Sequence, residues 1–488
     1  MRSLQLFLAA CLLLAACAPR TPQPPPTAMP TVSASTTPGV RPTIDSTPTP
    51  VAISTAPPAL TIPLPPTNGD YLVPPTNGDY LVPPTNGDYL ATPAVVDAET
   101  TARHQRIFEQ LWNTLNTQYV YPDFNGVDWP AVRLEFEAQI GRGLDDEAFW
   151  RAMAEMVDRL HDNHSTFLTP REAREEDDQL QGEYAYIGIG VYAATPEAER
   201  HAVILSVFPG SPAEEAGLRA HDAILAIDGQ PVVNPDGTDN LDRIRGASGT
   251  SITLILKSSG EAPREVTLVR RRVAGALQAS GHLLPAGTAG RRIAYLIVPT
   301  LWDATIEAST RQALSDLMAG GRLDGLIVDM RINGGGVSTN LLTLLGFFTS
   351  GRHGDFSGRD QSRPLLVSAD PIGNSQDVPL IILISPETQS YAEVFSGVLR
   401  EAGRAQLVGA TTAGNIETIY GYDFEDGSRA WIARETFVPS SGDDWEDTGI
   451  VPDVTIDLAW DEFTEENDPY IAAALDLLAQ PAGAIPPR

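Results

Sequence analysis

The segment Ile381–Asn415, IILISPETQSYAEVFSGVLREAGRAQLVGATTAGN, decides how the rest of the chain is interpreted. It begins within an apolar run, Leu380–Ile384, whose length and β-branched content predict a buried strand. A polar stretch follows, and Tyr391–Arg400 then carries apolar residues at helical spacing before Gly403 ends the helix. This order of strand, turn and helix places Ser390 at a helix N-terminus, beside backbone N–H groups that lack intrahelical partners.

Ser390 has two interpretations from this segment alone. A helix N-terminus stabilises negative charge, so it suits a serine nucleophile whose substrate carbonyl becomes an oxyanion. Serine is also a favoured helix N-cap, and a cap is the commoner reason for a serine at such a position. The other segments of the chain must decide between the two.

Composition excludes several classes of function. The chain has 488 residues, which is enough for two or three domains with a large core. Its formal net charge of −30 argues against binding to nucleic acid or to an anionic membrane surface. The sequence has one lysine, Lys257, and its two cysteines, Cys11 and Cys17, lie near the N-terminus. We therefore expect no disulfide and no thiolate metal site in the folded part.

Residues 1–17 match a bacterial lipoprotein signal peptide, with Arg2 before a short apolar stretch and Leu-Ala-Ala before Cys17. The small residues would admit the signal peptidase, and the Cys17 thiol would accept the lipid anchor. A similar pattern precedes Cys11 but leaves a very short apolar core, and an ordinary secretory signal is a further alternative. All three interpretations place the protein outside the cytoplasm.

Residues 18–96 are predicted to be a disordered linker, because they are rich in proline and threonine and poor in the large apolar residues that a core requires. They include three near-identical nonapeptides, Pro65–Val73, Pro74–Val82 and Pro83–Ala91, each of which reads PPTNGDYL and one further residue. Proline favours extended backbone and Asn-Gly favours turns, which indicates a spacer. A repeat that presents tyrosines to a partner is the alternative.

Residues 97–182 show helical periodicity, most clearly from Asp145 to about Leu160. The segment HDNHS follows and contains His161 and His164. Two histidines three residues apart can bind a metal ion, but no third ligand of suitable spacing lies near them in the sequence. A histidine at a helix end is often a cap, so we expect no metal and no cofactor.

Residues 183–275 combine short predicted strands with glycine-rich turns. The segments PGSPAEEAGL, DAILAIDGQPV and GTSITLIL resemble the motifs of a PDZ domain, although His221 stands where that family usually has a small residue. PDZ domains bind a C-terminal tail as an added strand and hold its carboxylate with backbone N–H groups. The resemblance assigns this peptide-binding loop to Ile187, Gly188, Ile189 and Gly190.

Residues 276–484 are predicted to form an α/β domain in which Gly325–Met330 is a strand. The segment Asp329–Gly336, DMRINGGG, lies at its end and leads into a helix at about Ser338–Phe348. A glycine-rich turn between a strand and a helix can cradle a phosphate, but no Lys-Ser/Thr pair follows these glycines. The same geometry can offer bare N–H groups to an oxyanion.

Four features now agree in type and order: the helical region, the PDZ motifs, D-x-R-x-N-x-G-G, and S-x-x-E followed by G-I-x-P-D. The combination resembles the C-terminal processing (tail-specific) serine protease family, with the tricorn protease core as a relative, over about residues 97–460. The resemblance implies an α/β (α+β) fold, with a crotonase-like ββα catalytic domain, an inserted PDZ domain and an N-terminal helical region. It also implies that Ser390, which precedes Glu393 in S-x-x-E, is the nucleophile.

The general base departs from the family pattern. The processing proteases use a lysine 25 residues after the serine, and that position is Asn415 here. A carboxamide accepts no proton near neutral pH, and Lys257 lies in a predicted PDZ strand. The tricorn branch instead uses a histidine from an earlier segment, and the pattern Asp162-Asn163-His164-Ser165 resembles that segment.

This tricorn-like assignment makes His164 the general base and Glu446, shortly before the G-I-x-P-D motif, its carboxylate partner. An imidazole with a pKa of about 6.5 suits the task of accepting the Ser390 proton, and a linked carboxylate fixes its tautomer. Ser165, Asn163 or a water molecule are the candidates for the relay between His164 and Glu446. A solvated acidic run is the alternative for Glu446, because Asp443, Asp444 and Asp447 surround it.

The resulting hypothesis is acyl transfer to Ser390. The Tyr391 N–H and an N–H of the turn containing Gly335 and Gly336 would hold the oxyanion, and Asn415 is a candidate substrate contact. The protein would be an extracytoplasmic serine endopeptidase that cleaves polypeptides with free C-terminal tails and meets the membrane through its N-terminal lipid alone. The alternative is a catalytically inactive lipoprotein that binds peptides or other ligands on the same fold.

Overall fold

The structure is a computed structural model, and it describes residues 96–162, 164–180, 185–195, 200–235, 237–274, 277–285, 290–456 and 458–480. The predicted signal peptide with Cys17, the linker repeats and Asn163 lie outside these residues. No helix in the described part of the chain has the length and apolar content needed to cross a membrane.

The N-terminal region is helical because its apolar residues recur at helical spacing and its helices begin at acidic caps. It contains the helices α1 (Ala98–Gln118), α2 (Trp129–Ile140), α3 (Asp146–Asp158) and α4 (Pro170–Leu180), with the short strand β1 (Thr166–Leu168) before α4. Asp97 caps α1 by accepting a hydrogen bond from the Thr100 N–H, and Asp145 caps α3 by accepting one from the Ala148 N–H.

The PDZ-like unit is an antiparallel sheet with one short helix. Its elements are β2 (Ala185–Gly188), β3 (Val191–Ala194), β4 (Ala202–Val207), α5 (Pro212–Glu215), β5 (Ala223–Ile227), β6 (Gln230–Pro231), β7 (Ser251–Lys257), β8 (Arg264–Val269) and β9 (Arg271–Ala274). The strand order is β3-β4-β5-β7-β8, with β6 paired to β5, while β2 pairs separately with β9. A turn of 3-10 helix, Leu241–Ile244, precedes β7.

The catalytic domain follows. Its elements are β10 (Ser280–Leu283), β11 (Ile293–Ile297), α6 (Ile306–Met318), β12 (Gly325–Asp329), α7 (Ser338–Phe348), β13 (Gly351–Ser357), β14 (Ser362–Val367), β15 (Leu380–Ile384), α8 (Tyr391–Glu401), β16 (Ala405–Gly409), β17 (Thr418–Asp423), β18 (Arg429–Pro439), β19 (Val454–Thr455) and α9 (Pro469–Ala479). The main sheet has the order β10-β11-β12-β15-β16-β19, and its neighbours are parallel except for β10.

Both faces of this sheet are covered, which explains why β12 and β15 are buried along their whole length and apolar except for Asp329 at the end of β12. Leu326, Val328 and Ile382 point into a core shared with α6, α7 and α8, whereas Ile327 and Ile381 pack against α9 on the opposite face. Because β12 and β15 are parallel neighbours, the turns that follow them meet at one edge of the sheet. Ser390 and the glycine-rich turn lie at this edge.

A second sheet joins the N-terminal region to the catalytic domain. Its order is β1-β18-β13-β14, and β17 also pairs with β18. Thr166 in β1 lies opposite Trp431 in β18, and Phe167 packs in a core with Phe424 and Ala430. This pairing carries His164, two residues before β1, to the edge where Ser390 lies.

Candidate active site

Ser390 is held in an unusual backbone conformation between β15 and α8. Its φ of 54° and ψ of −128° are rare for a residue with a side chain, and such strain persists only where the surroundings enforce it. Two hydrogen bonds do so: the Gln389 N–H donates to the Asn333 carbonyl (3.0 Å) and the Ser390 N–H donates to Glu393 (2.9 Å). Ser390 therefore stands on a sharp turn at the start of α8.

The buried Glu393 carboxylate ties this turn to the loop that follows β16. Besides the Ser390 N–H, it accepts hydrogen bonds from the Thr412 hydroxyl (2.6 Å) and the N–H groups of Gly414 (2.8 Å) and Asn415 (3.0 Å). Burial raises the pKa of Glu393, and these donors oppose the rise. Within S-x-x-E, the glutamate thus positions the serine and the loop around Asn415.

The glycine-rich turn lies directly against Ser390. A Cβ atom on Gly335, which has a φ of +91°, would lie 2.7 Å from the Ser390 Cβ, and one on Gly336 would lie 2.0 Å from the Leu301 carbonyl carbon. Only glycine permits both approaches. The start of the turn is held in place by the buried Arg331, which forms ion pairs with Asp329 (2.6 Å) and Asp468 (2.7 Å).

The N–H groups of this turn differ in their partners. The Gly335 N–H donates to the Asn333 side-chain oxygen (2.9 Å), so the predicted oxyanion donor is occupied in this structure. By contrast, the N–H groups of Tyr391, Gly334 and Gly336 have no acceptor among the described residues. Donors on both sides of Ser390 are thus free to bind an anion.

His164 reaches the site through a tight turn before β1. The Asp162 carboxylate accepts a hydrogen bond from the His164 N–H (2.9 Å) and another from the Ser165 N–H (2.5 Å). The side chains of His164 and Ser390 line the same cavity, whose volume is about 1400 Å³. No direct hydrogen bond joins the two among the described residues; such contacts often form only when substrate is bound.

Glu417 is the residue that the sequence reasoning missed. The His164 Nδ1 lies 2.7 Å from Glu417 Oε2, and the Tyr121 hydroxyl donates to Glu417 Oε1 at 3.0 Å. Burial alone would raise the pKa of Glu417, but the hydrogen bond and charge of His164 bring it below its usual value. The sequence did contain a signal for Glu417 as a site residue, because Glu417 lies two residues after Asn415, in the loop where the processing proteases carry their lysine.

Glu446 lies behind Glu417 and does not contact His164 in this structure. Its Oε2 accepts a hydrogen bond from the Ile416 N–H (2.9 Å), the backbone group just before Glu417. Burial and the adjacent Glu417 raise the pKa of Glu446 to about 9. Burial and the negative charge of the neighbouring Glu417 thus favour the neutral form of Glu446.

The relay candidates have other partners. The buried Ser165 hydroxyl accepts a hydrogen bond from the Ala433 N–H (3.0 Å) and helps to hold β1 to β18. His164 Nδ1 contacts Glu417 rather than Glu446, so the relay through Ser165 stays a prediction, and Asn163 lies outside the described residues. The Asn415 side chain lines the cavity, and its buried Oδ1 has no hydrogen-bond partner among the described residues.

The PDZ-like unit faces the same cavity. Ile187, at the end of β2, lines it together with Ile244 of the 3-10 turn, whereas Ile189 is buried in the core of the unit. Gly190 has a φ of +86°, and a Cβ atom there would lie 2.1 Å from the Ser211 Cβ. Lys257 ends β7 within the unit, as the sequence predicts.

Three family models match this chain. Peptidase family S41 matches residues 292–456, the tricorn protease C1 domain matches residues 100–158, and a PDZ domain matches residues 203–258. A carboxyl-terminal-processing protease of Synechocystis is 28% identical over 381 residues, which cover 77% of this chain and 86% of that protein. Its counterpart in Picosynechococcus is 29% identical over 393 residues, which cover 77% and 89%.

A solved structure has the same fold. That of a photosystem II D1 C-terminal processing protease has a TM-score of 0.55 at 24% identity, covering 77% of this chain and 97% of that one. Fold and family matches together define a serine-type peptidase with an inserted PDZ domain. These matches support the carboxyl-terminal processing protease family, peptidase family S41, for this chain. The predicted family, fold class and enzyme class are confirmed.

Proposed function

We propose that this processing peptidase acts outside the cytoplasm, with Ser390 as nucleophile and His164 as general base. The observation that carries the proposal is the 2.7 Å contact between His164 Nδ1 and the Glu417 carboxylate, on a side chain that lines the same cavity as Ser390. A carboxylate can only accept a hydrogen bond, so the imidazole proton lies on Nδ1 and Nε2 is free to accept the proton of a nucleophile.

The chemistry is acyl transfer. Nε2 of His164 takes the Ser390 proton as Oγ attacks the peptide carbonyl, and Glu417 stabilises the imidazolium that forms. The N–H groups of Tyr391 and Gly336 receive the oxyanion, since both lack acceptors among the described residues. His164 then protonates the leaving amine, and a water molecule hydrolyses the acyl-enzyme by the same proton path.

The substrates are polypeptides with free C-terminal tails. The loop Ile187–Gly190 would hold the tail carboxylate, and the shared cavity allows the upstream part of the tail to reach Ser390. The names of the relatives, which are carboxyl-terminal-processing proteases, support this substrate class. Asn415, whose side chain lines the cavity, is a candidate contact to the bound peptide.

The location rests on the sequence. The signal at residues 1–17 would direct export, Cys17 would carry the lipid, and the proline-rich linker would hold the catalytic part away from the membrane. Substrate tails are therefore those displayed on the outer side of the cell membrane.

A serine-directed fluorophosphonate probe tests the catalytic assignment. We expect labelling of the wild type, none of Ser390→Ala, and labelling slowed by about a hundred-fold or more in His164→Ala, because the base contributes at least that factor. Ser441→Ala, which removes an exposed hydroxyl that does not line the cavity, is the matched control and should label normally. A wild type that is neither labelled nor able to cleave unfolded protein would instead be a peptide-binding lipoprotein.

A further inference from the structure

We propose that Tyr121 is a positioning residue for the general base, because its hydroxyl holds one oxygen of Glu417 so that the other oxygen faces His164. The Tyr121 hydroxyl donates to Glu417 Oε1 (3.0 Å), and Glu417 Oε2 lies 2.7 Å from His164 Nδ1. Since the two contacts use different oxygens, the phenol fixes the rotation of the carboxylate about its last bond. The inference rests on the proposed function, because it concerns how the proposed base is oriented.

The environment of Glu417 makes this hydrogen bond important. The last torsion of a glutamate side chain is broad, so a carboxylate held at one oxygen alone can turn. The Glu417 side chain is only 3% exposed, and a buried carboxylate oxygen that loses its donor cannot readily replace it with solvent. Burial and the charge of Glu417 raise the pKa of Tyr121 far above its usual value, so the phenol keeps the proton that it donates.

The backbone of Tyr121 is held on two sides. The N–H of the preceding residue, Val120, donates to the Ala433 carbonyl of β18 (2.9 Å). The Arg359 guanidinium, from the turn between β13 and β14, donates to the Tyr121 carbonyl (3.2 Å). Pro122 follows and restricts the backbone of Tyr121 to extended conformations. The phenol therefore projects from a fixed point of the chain.

Ala433 of β18 also ties this point to the two groups that the phenol serves. Its N–H donates to the Ser165 hydroxyl (3.0 Å), its carbonyl accepts the Val120 N–H, and it lies opposite Ile419 of β17. These three partners lie within two residues of the imidazole, the phenol and the carboxylate respectively. One residue of a central strand thus sets the spacing of all three groups, which makes the contact of the phenol a feature of the fold.

Tyr121→Phe tests the hydroxyl, because it keeps the ring and its edge contact with Tyr119 at 5.7 Å between centroids. We expect kcat for peptide cleavage to fall by about ten-fold while KM changes by less than about two-fold, since a carboxylate that can turn orients the imidazole less well. Tyr422→Phe, which removes a hydroxyl from β17 outside the cavity lining, is the control and should leave both constants unchanged.

Arg359→Ala gives a second test, because it keeps the hydroxyl and releases the backbone of Tyr121. Alone it should lower kcat by about three-fold, and in the Tyr121→Phe protein it should lower kcat by little more, since both changes act through one contact. Losses that multiply in the double variant would mean independent effects and would contradict the proposal. Circular dichroism confirms that each variant folds.

Proton NMR reports the contact without turnover. A short hydrogen bond to a carboxylate shifts an imidazole N–H resonance downfield, and His164→Ala should remove this resonance. The resonance should move in Tyr121→Phe and stay in place in Tyr422→Phe. An unmoved resonance or a wild-type kcat in Tyr121→Phe overturns the role of Tyr121 and leaves the proposed function intact. A wild type that fluorophosphonate never labels instead refutes the proposed function, and the role of Tyr121 in catalysis with it.

Discussion

At the scale of single residues, the proposed general base is built from two segments of the chain instead of a lysine. The lysine position holds Asn415, the imidazole comes from His164 before β1, and the carboxylate at its Nδ1 comes from Glu417 at the boundary of β17. Ser390 and His164 could be named from motifs, because each lies in a recognisable local pattern. Glu417 could not, since its contact with His164 joins positions that are 253 residues apart and depends on the pairing of β1 with β18.

Glu417→Gln tests the negative charge of Glu417, because it keeps the shape of the side chain and replaces the carboxylate by a carboxamide. A carboxamide cannot stabilise the imidazolium and can bind the wrong tautomer, so kcat should fall by about a hundred-fold or more while KM changes little. Glu425→Gln, which makes the same change at an exposed glutamate paired with Arg106, is the control and should leave both constants unchanged. Steady-state kinetics on a short peptide measures the effect. A loss smaller than about three-fold would show that Glu417 does not orient the base.

At the scale of elements, the parallel strands could be predicted because their apolar runs are continuous. Leu380–Ile384 is β15 as predicted, and Ser390 stands immediately before α8. Strand β1 has three residues and no periodic signal, so its pairing with β18 could not be foreseen. The hydrogen bond from the Gly335 N–H to the Asn333 side chain could not be foreseen either, because a sequence motif does not show which backbone groups are occupied.

Gly335→Ala tests how closely the turn must approach Ser390. The new Cβ would lie 2.7 Å from the Ser390 Cβ at a φ of +91°, so the turn must move and the oxyanion donors move with it. We expect kcat/KM to fall by about a hundred-fold or more. A Cβ atom on Gly334 would have no neighbour within 4 Å, so Gly334→Ala should lower kcat/KM by much less. Comparable losses in the two variants would contradict a role for close approach at Gly335.

At the scale of the whole molecule, Trp460 is one of the residues that pack the PDZ domain against the catalytic domain. The Trp460 indole N–H donates to the Ile204 carbonyl (3.2 Å), and its ring stacks on His221 at 4.4 Å between centroids. Burial lowers the pKa of His221, so the ring is neutral, and its Nδ1–H donates to the Trp460 carbonyl (2.7 Å). On the other side, the Arg331 guanidinium lies 4.8 Å from the Trp460 ring.

These contacts connect the peptide-binding domain with the turn beside Ser390, because Arg331 also anchors that turn through Asp329 and Asp468. Trp460→Ala should therefore lower the free energy of unfolding by about 2 kcal/mol, less than for a fully buried tryptophan. It should also lower kcat/KM for a polypeptide with a free tail more than for a short peptide that does not engage the PDZ domain. Leu458→Ala, two residues away with a side chain 44% exposed, is the control. If kcat/KM falls equally for both substrates, Trp460 supports stability alone. A fall that is larger for the tailed substrate means that the docked position of the PDZ domain delivers the tail to Ser390.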